Sequence, residues 1–228
     1  MKNDFTEMMN SLVISITQQF NTIRLWGIGR IIYCVRSSAG MRLLGKGSSG
    51  EKEVIISMIG PPNAGKTTFV RYLETQQPVL EPVNTTLGIE MRSNPILIDN
   101  WRIKIIDTGG QELFAQAFWE IAVEQSDVVI FVIDATITHK NNPKKNELMF
   151  DQFAYALDII HEDQPIFFLL NKQDLKDQEP MTPADAIKKF STDKLTGRSI
   201  NFIPTSAKFG DGVEDTVKSV INTLTVQV

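Results

Sequence analysis

Residues 60–68 read GPPNAGKTT. Gly60, Gly65, Lys66 and Thr67 fit the phosphate-loop pattern G-x-x-x-x-G-K-[ST]. Each residue type has a chemical reason. The glycines let the backbone wrap closely, so that N–H groups along Asn63, Ala64, Gly65, Lys66, Thr67 and Thr68 can face a phosphate. Lys66 supplies a point charge for the β- and γ-phosphates, and the Thr67 hydroxyl suits a Mg²⁺ ion. Alone, this stretch does not distinguish ATP from GTP.

A second stretch reads the base. Asn171, Lys172, Gln173 and Asp174 follow the apolar run PIFFLL. A carboxylate accepts two hydrogen bonds from guanine, at N1–H and N2–H₂, and adenine offers no such pair. Asp174 is therefore the expected guanine selector. Asn171 can bond N7, and the stem of Lys172 can lie across the base. Ser206, Ala207 and Lys208, in TSAK, complete the expected pocket, with a backbone N–H near Ala207 meeting guanine O6.

The third stretch is IIDTGGQE, residues 105–112. Asp107 ends a strand and suits a contact to Mg²⁺ through water. Gly110 can present its N–H to the γ-phosphate, and Gln111 can orient an attacking water. Thr86 can bring its hydroxyl to Mg²⁺ when the γ-phosphate is present, although the neighbouring Thr85 competes for that role. Gln111, Lys66 and Thr86 are the candidate catalytic residues; Thr67, Thr86 and Asp107 are the candidate metal residues. Both loops would be ordered by GTP and released by hydrolysis, which makes a switch. Neither Arg71 nor Arg92 can be placed at the reacting phosphate. Slow intrinsic hydrolysis is expected, accelerated roughly 10³–10⁵-fold by an arginine from a GTPase-activating protein.

These residues need a scaffold that brings them together. EVIISMIG, DVVIFVID, PIFFLLNK and INFIPTS are short apolar runs of the kind that strands covered on both faces show. PILI and RIKII flank Asp99-Asn100, a turn pair suited to a tight hairpin. Helices are expected over about 66–74, 112–125, 146–161, 183–190 and 213–225. The alternation predicts an α/β fold with a mostly parallel six-stranded sheet and helices on both faces.

The chain has 228 residues, 42 % hydrophobic and 22 % charged. That suits one moderate domain with an extension. GKGSSGEKE at 45–53 reads as a linker, dividing a helical extension at 1–50 from a nucleotide domain at 51–228. The charge divides in the same place. Residues 8–50 hold Arg24, Arg30, Arg36, Arg42 and Lys46 and no acid, giving +5; residues 1–7 carry −1, leaving −8 of the total −4 for residues 51–228. In the extension Phe5, Met8, Leu12, Ile16, Phe20 and Ile23 fall on one side of a helical wheel, and Ile28, Ile31, Ile32 and Val35 form a second stripe after Gly27 and Gly29. Two amphipathic helices with a basic character suit an anionic membrane surface, which residues 4–36 would contact. Permanent packing on the nucleotide domain, or on a protein partner, stays open. Nucleic acid is not expected, because the basic residues are sparse and separated by apolar ones. Cys34 is the only cysteine, so no intramolecular disulfide is expected and a reducing cytosol fits. No signal peptide or membrane-spanning run is evident.

Together, GPPNAGKTT, TTLG, DTGGQE, NKQD and TSAK resemble a small GTPase of the Ras superfamily. Thr86-Leu87-Gly88, the pair Gly109-Gly110 before Gln111, and glutamine as the third residue of the guanine motif resemble the ADP-ribosylation-factor (Arf) family. The resemblance implies a phosphate-loop G domain that binds GTP or GDP with Mg²⁺, and exchange-factor, GTPase-activating and effector partners. It also implies an N-terminal helix that moves from a groove to a membrane as the hairpin at about 89–106 slides, and a cytoplasmic protein reversibly associated with the cytoplasmic face of a membrane. The sequence departs from the family by Thr85 where proline is common, by Lys2 in place of a myristoylated glycine, and by a longer extension. The alternative is a GTP- or GDP-binding scaffold that does not hydrolyse, its N-terminal helices packed in place.

Overall fold

The computed structural model describes residues 52–86, 88–91, 95–109, 115–138, 140–192 and 200–226. The N-terminal extension, Gly110 and Gln111 lie outside these residues.

One mixed sheet forms the centre. Its strands are β1 (Lys52–Ile59), β2 (Ile89–Met91), β3 (Ile96–Ile98), β4 (Trp101–Thr108), β5 (Val128–Asp134), β6 (Ile166–Asn171) and β7 (Phe202–Pro204). The order is β2-β4-β1-β5-β6-β7, with β3 also paired to β4. β1 runs parallel to β4 and β5, β5 to β6, and β6 to β7, while β2 and β3 are antiparallel to β4. The six expected strand positions are present. The outermost is shared by two short strands, β2 against Ile106–Thr108 and β3 against Trp101–Ile103.

The β3–β4 turn sits at Asp99-Asn100, with Ile98 opposite Trp101. Asp99 adopts a φ of 52°, a left-handed conformation that aspartate tolerates better than most side chains. The Asn100 carbonyl accepts a 2.9 Å bond from Lys52 N–H, tying the turn to the start of β1.

Among the described residues five α-helices cover the sheet: α1 (Lys66–Thr75), α2 (Ala115–Gln125), α3 (Pro143–Ile159), α4 (Pro183–Phe190) and α5 (Val213–Val226). α3 starts three residues before its expected position. The Asn142 side chain accepts from Lys145 N–H, and Pro143 takes the first helical position, where its missing N–H costs nothing. No described helix is long and apolar enough to cross a membrane.

Alternation along the strands divides the core in two. Ile56, Met58, Ile130, Val132 and Leu169 pack with Phe69 and Leu73 of α1 and with Val217 and Val220 of α5. Ile59, Val129, Phe131, Ile133, Phe168 and Leu170 pack with Trp119 of α2, Phe153 of α3 and Phe190 of α4. In the second layer, aromatic rings link the helices to the sheet. Phe153 stacks on Phe190 at 4.3 Å and meets Phe168 at 4.9 Å; Trp119 meets Phe131 edge-on at 5.8 Å. Burying each such ring contributes about 1.5–3 kcal/mol, with about 0.5–1.5 kcal/mol more from ring geometry. Trp101 is buried in the first layer, beneath the Lys52 ammonium, which lies 5.1 Å from its ring.

The functional consequence is positional. Met58 of β1 is level with Asp107 of β4, and Asp134 of β5 with Asn171 of β6. Parallel pairing therefore delivers the motif-bearing strand ends to one edge of the sheet, where open α/β sheets bind ligands.

Candidate functional site

The loop between β1 and α1 is shaped by Asn63 (φ 60°) and Gly65 (φ 101°). A Cβ on Gly65 would run into the Asn171 amide nitrogen, so glycine is needed for both backbone shape and close approach. Gly65 also provides the N-cap of α1 with no side-chain hydrogen bond. The first-turn N–H groups are therefore not taken by a capping side chain, which is the arrangement that accepts an anion.

Lys66 is buried, and its ammonium donates to the carbonyls of Gly60 at 2.8 Å and Pro61 at 2.9 Å. Burial lowers its pKa from the ordinary 10.5 to about 8, with Asp107 pulling the other way. The loop thus holds a desolvated cation whose charge is waiting for a stronger anionic partner.

Three hard oxygen donors meet beside it. The Thr67 hydroxyl donates to Asp107 Oδ2 at 2.6 Å, the Thr86 hydroxyl approaches the same oxygen at 3.2 Å, and the two hydroxyls are 2.9 Å apart. Two hydroxyls and a fully buried carboxylate suit a hard, oxygen-seeking divalent cation such as Mg²⁺. Among the described residues no cluster of three or more His, Cys, Asp or Glu offers another metal site. Of the two neighbouring threonines, Thr86 makes these contacts. Thr85 lines the neighbouring wall.

The base end is built from β6 and the loop after β7. Ser206 donates from its hydroxyl to Asp174 Oδ1 at 2.7 Å, which fixes one edge of that carboxylate. Asn171, expected to contact guanine N7, also joins two loops of the protein. Its Nδ2 donates to the Ala64 carbonyl at 2.7 Å, and its Oδ1 accepts from Ala207 N–H at 2.8 Å. One amide thereby ties the phosphate loop to the base loop, across 107 and 36 residues of sequence respectively. The Ala207 N–H is thus committed to Asn171 in this structure. The reason is burial: both groups are almost inaccessible, and each completes the other's hydrogen bonding.

These loops enclose a cavity of about 460 Å³, within the range of small-molecule sites. Asn63, Gly65, Lys66, Thr67 and Thr68 line one end; Asn171, Lys172, Asp174 and Lys208 line the other. Ala64, Asp107, Ser206 and Ala207 stand behind the lining and hold it. Gly110 and Gln111 lie outside the described residues. Gly109 is buried, donates its N–H to the Gly88 carbonyl at 2.7 Å, and passes so close to the Thr86 backbone that a Cβ would sit 2.6 Å from its carbonyl oxygen.

Sequence reasoning missed one wall. Val79–Thr85 runs along the cavity, with Leu80 71 % exposed, and Val79 N–H donates to the Lys208 carbonyl at 2.8 Å. Those residues form no motif. The only sequence signal was their place between the phosphate loop and Thr86.

Known proteins resemble this chain in sequence and in fold. The ADP-ribosylation factor family matches residues 40–224. The chain is 27 % identical over 183 residues to ADP-ribosylation factor-like protein 1 of Drosophila melanogaster, covering 78 % of this chain and 93 % of that protein. It is 29 % identical over 184 residues to ADP-ribosylation factor-like protein 3 of Caenorhabditis elegans, covering 78 % and 91 %. Its fold is similar to that of the Arl6 small GTPase of Trypanosoma brucei, solved with the nucleotide analogue GppNp, at a TM-score of 0.63 and 21 % identity over 77 % of this chain and 99 % of that one. With a family match that spans most of its length, the chain belongs to the ADP-ribosylation factor family of small GTPases.

Proposed function

We propose that this chain is a guanine-nucleotide switch that hydrolyses GTP to GDP slowly and moves between cytoplasm and the cytoplasmic face of a membrane. The observation that carries the reading is the convergence of Thr86 with Thr67 and Asp107, beside Lys66 and at the phosphate end of a cavity whose other end holds Asp174.

Lys66 and the open N-terminus of α1 receive the phosphates. Thr67 and Thr86 would hold Mg²⁺, with Asp107 behind them. When bound, the ion would neutralise charge on the phosphates. Asp174, oriented by Ser206, accepts the guanine N1–H and N2–H₂. Gln111 orients the attacking water. Thr86 belongs to a loop that can leave the site, so its contact reports which nucleotide is present. A GTPase-activating protein supplies the missing arginine, and an exchange factor opens the cavity.

The membrane step belongs to residues 4–36. Their apolar stripes enter the lipid surface, and Arg24, Arg30 and Arg36 meet anionic headgroups.

Calorimetry with GDP, GTP and ATP tests the base assignment, and ATP binding as tightly as GTP would refute it. A single-turnover assay of wild type and Gln111→Leu tests hydrolysis; equal rates would remove Gln111 from the reaction. Flotation on vesicles containing phosphatidylserine, with GDP and with a non-hydrolysable GTP analogue, tests the membrane step. Full-length protein carrying Phe20→Glu and Ile31→Glu is the control. Equal flotation of control and wild type would refute it.

A further inference from the structure

Lys172 occupies a left-handed backbone position, with φ 70°. Its ammonium does not point at the phosphates. It donates to Asp134 Oδ2 at 2.6 Å, and the pair is mostly buried, with side-chain exposures of 29 % and 10 %. Asp134 closes β5, level with Asn171 at the end of β6. Its other oxygen accepts from both the Thr136 backbone N–H at 3.0 Å and the Thr136 hydroxyl at 2.6 Å. The aspartate thus meets three donors and has a fixed direction.

The surroundings are tied down in the same way. Ala135 N–H donates to the Asn171 carbonyl at 3.0 Å, and the Ala135 carbonyl accepts from Met181 N–H at 2.8 Å. The Gln173 amide donates to the Met181 carbonyl at 3.1 Å, and Asn141 donates to the Thr136 carbonyl at 2.7 Å. Thr136 and Asn141 carry no part of the nucleotide motifs. They build the platform that aims Asp134.

We propose that Asp134 is a positioning residue for nucleotide binding. It draws the Lys172 ammonium to the far side of the base loop and so stretches the aliphatic stem of Lys172 along the cavity wall where the guanine ring lies. The proposal rests on the guanine-nucleotide reading above. Asp134 touches no part of the nucleotide in this account; it acts through Lys172. A lysine stem has several rotatable bonds and loses that freedom when it covers a ring. The buried charge-assisted bond imposes the ordering before the nucleotide arrives, which lowers the cost of binding.

The test is the release rate of a fluorescent GDP analogue from full-length protein, chased with excess GDP. It uses wild type, Asp134→Asn, Lys172→Met and the double variant. Asp134→Asn keeps an acceptor for Thr136 and removes the charge that holds Lys172. It is expected to speed release about tenfold, and Lys172→Met by a similar factor. The double variant should release no faster than Lys172→Met alone, because Asp134 has nothing left to position. Unchanged release in Asp134→Asn overturns the proposal. So does a double variant in which the two effects multiply, since Asp134 would then act through its own loop. If Asp134→Asn does not fold, as judged by thermal unfolding, Lys172→Met decides alone: the same release rate as wild type overturns the proposal. Failure of wild type to bind the analogue would instead overturn the guanine-nucleotide reading.

Discussion

The Thr86 hydroxyl lies 2.9 Å from the Thr67 hydroxyl, and both reach the same oxygen of Asp107. Thr67 opens a rigid helix and Asp107 ends a central strand, whereas Thr86 sits on an irregular segment. Two of the three groups are held by a helix and a strand, and the third arrives on a loop. Thr86→Ala should therefore weaken binding of a non-hydrolysable GTP analogue about tenfold, the loss of one hydrogen bond in a charged setting. GDP binding should change less than about threefold. Calorimetry in the presence of Mg²⁺ measures both, and equal losses for the two nucleotides would mean that Thr86 does not sense the γ-phosphate.

Asn171 bridges two loops, so its removal should destabilise the protein before any nucleotide is added. Asn171→Ala leaves the buried Ala64 carbonyl and Ala207 N–H without this partner. At about 1–3 kcal/mol for each of the two unsatisfied groups, the expected loss is about 2–6 kcal/mol in urea unfolding of nucleotide-free protein. A residue that only touched the base would leave that stability unchanged.

Asp174 is the expected source of base selectivity. Asp174→Asn replaces one acceptor oxygen by an amide donor, which suits the carbonyl that xanthine carries where guanine has its amino group. Ser206 can still donate to the remaining oxygen. The variant should bind xanthosine diphosphate more tightly than GDP. Competition against a fluorescent nucleotide reads the order, and an unchanged order would move the selectivity elsewhere.

The aromatic layer carries stability and not selectivity. Phe168 is fully buried and meets Phe131, Phe153 and Phe202 at ring distances of 4.9–5.7 Å. Phe168→Ala should cost about 3–5 kcal/mol while leaving the GDP-over-ADP ratio unchanged. A change in that ratio would show that the layer shapes the base loop.

What the sequence made legible follows from locality. The phosphate loop, the Asp99-Asn100 turn and the buried strands each carry their signal within a few residues, and all three appear as expected. The start of α3 was missed because its signal, Asn142-Pro143, precedes the apolar periodicity. The division of the outer strand position between β2 and β3 left no mark in the apolar pattern. The roles of Asn171 and Asp134 were hidden for a different reason. Their partners Ala64, Ala207 and Lys172 are 36–107 residues away, and the parallel pairing of β1, β5, β6 and β7 brings those groups together.

Lys66 makes the site sensitive to pH in a direction fixed by its burial. Its pKa falls from 10.5 to about 8 on folding. Between these values the unfolded chain holds a proton that the folded chain lacks, so this group makes nucleotide-free protein more stable as pH rises from about 8 toward 10.5. Below pH 8 the cost of burying the ammonium is present in full. Nucleotide binding has the opposite sense, because phosphate favours the charged form. Affinity should be independent of this group below pH 8 and should fall as pH rises above it, with a proton taken up on binding. Lys66→Met should abolish that uptake, weaken binding by more than tenfold and stabilise the nucleotide-free protein at pH 7. Calorimetry of GDP binding at pH 8.5 in two buffers of different ionisation enthalpy reads the uptake directly. Heats that do not depend on the buffer would show that the phosphates do not draw their proton to Lys66.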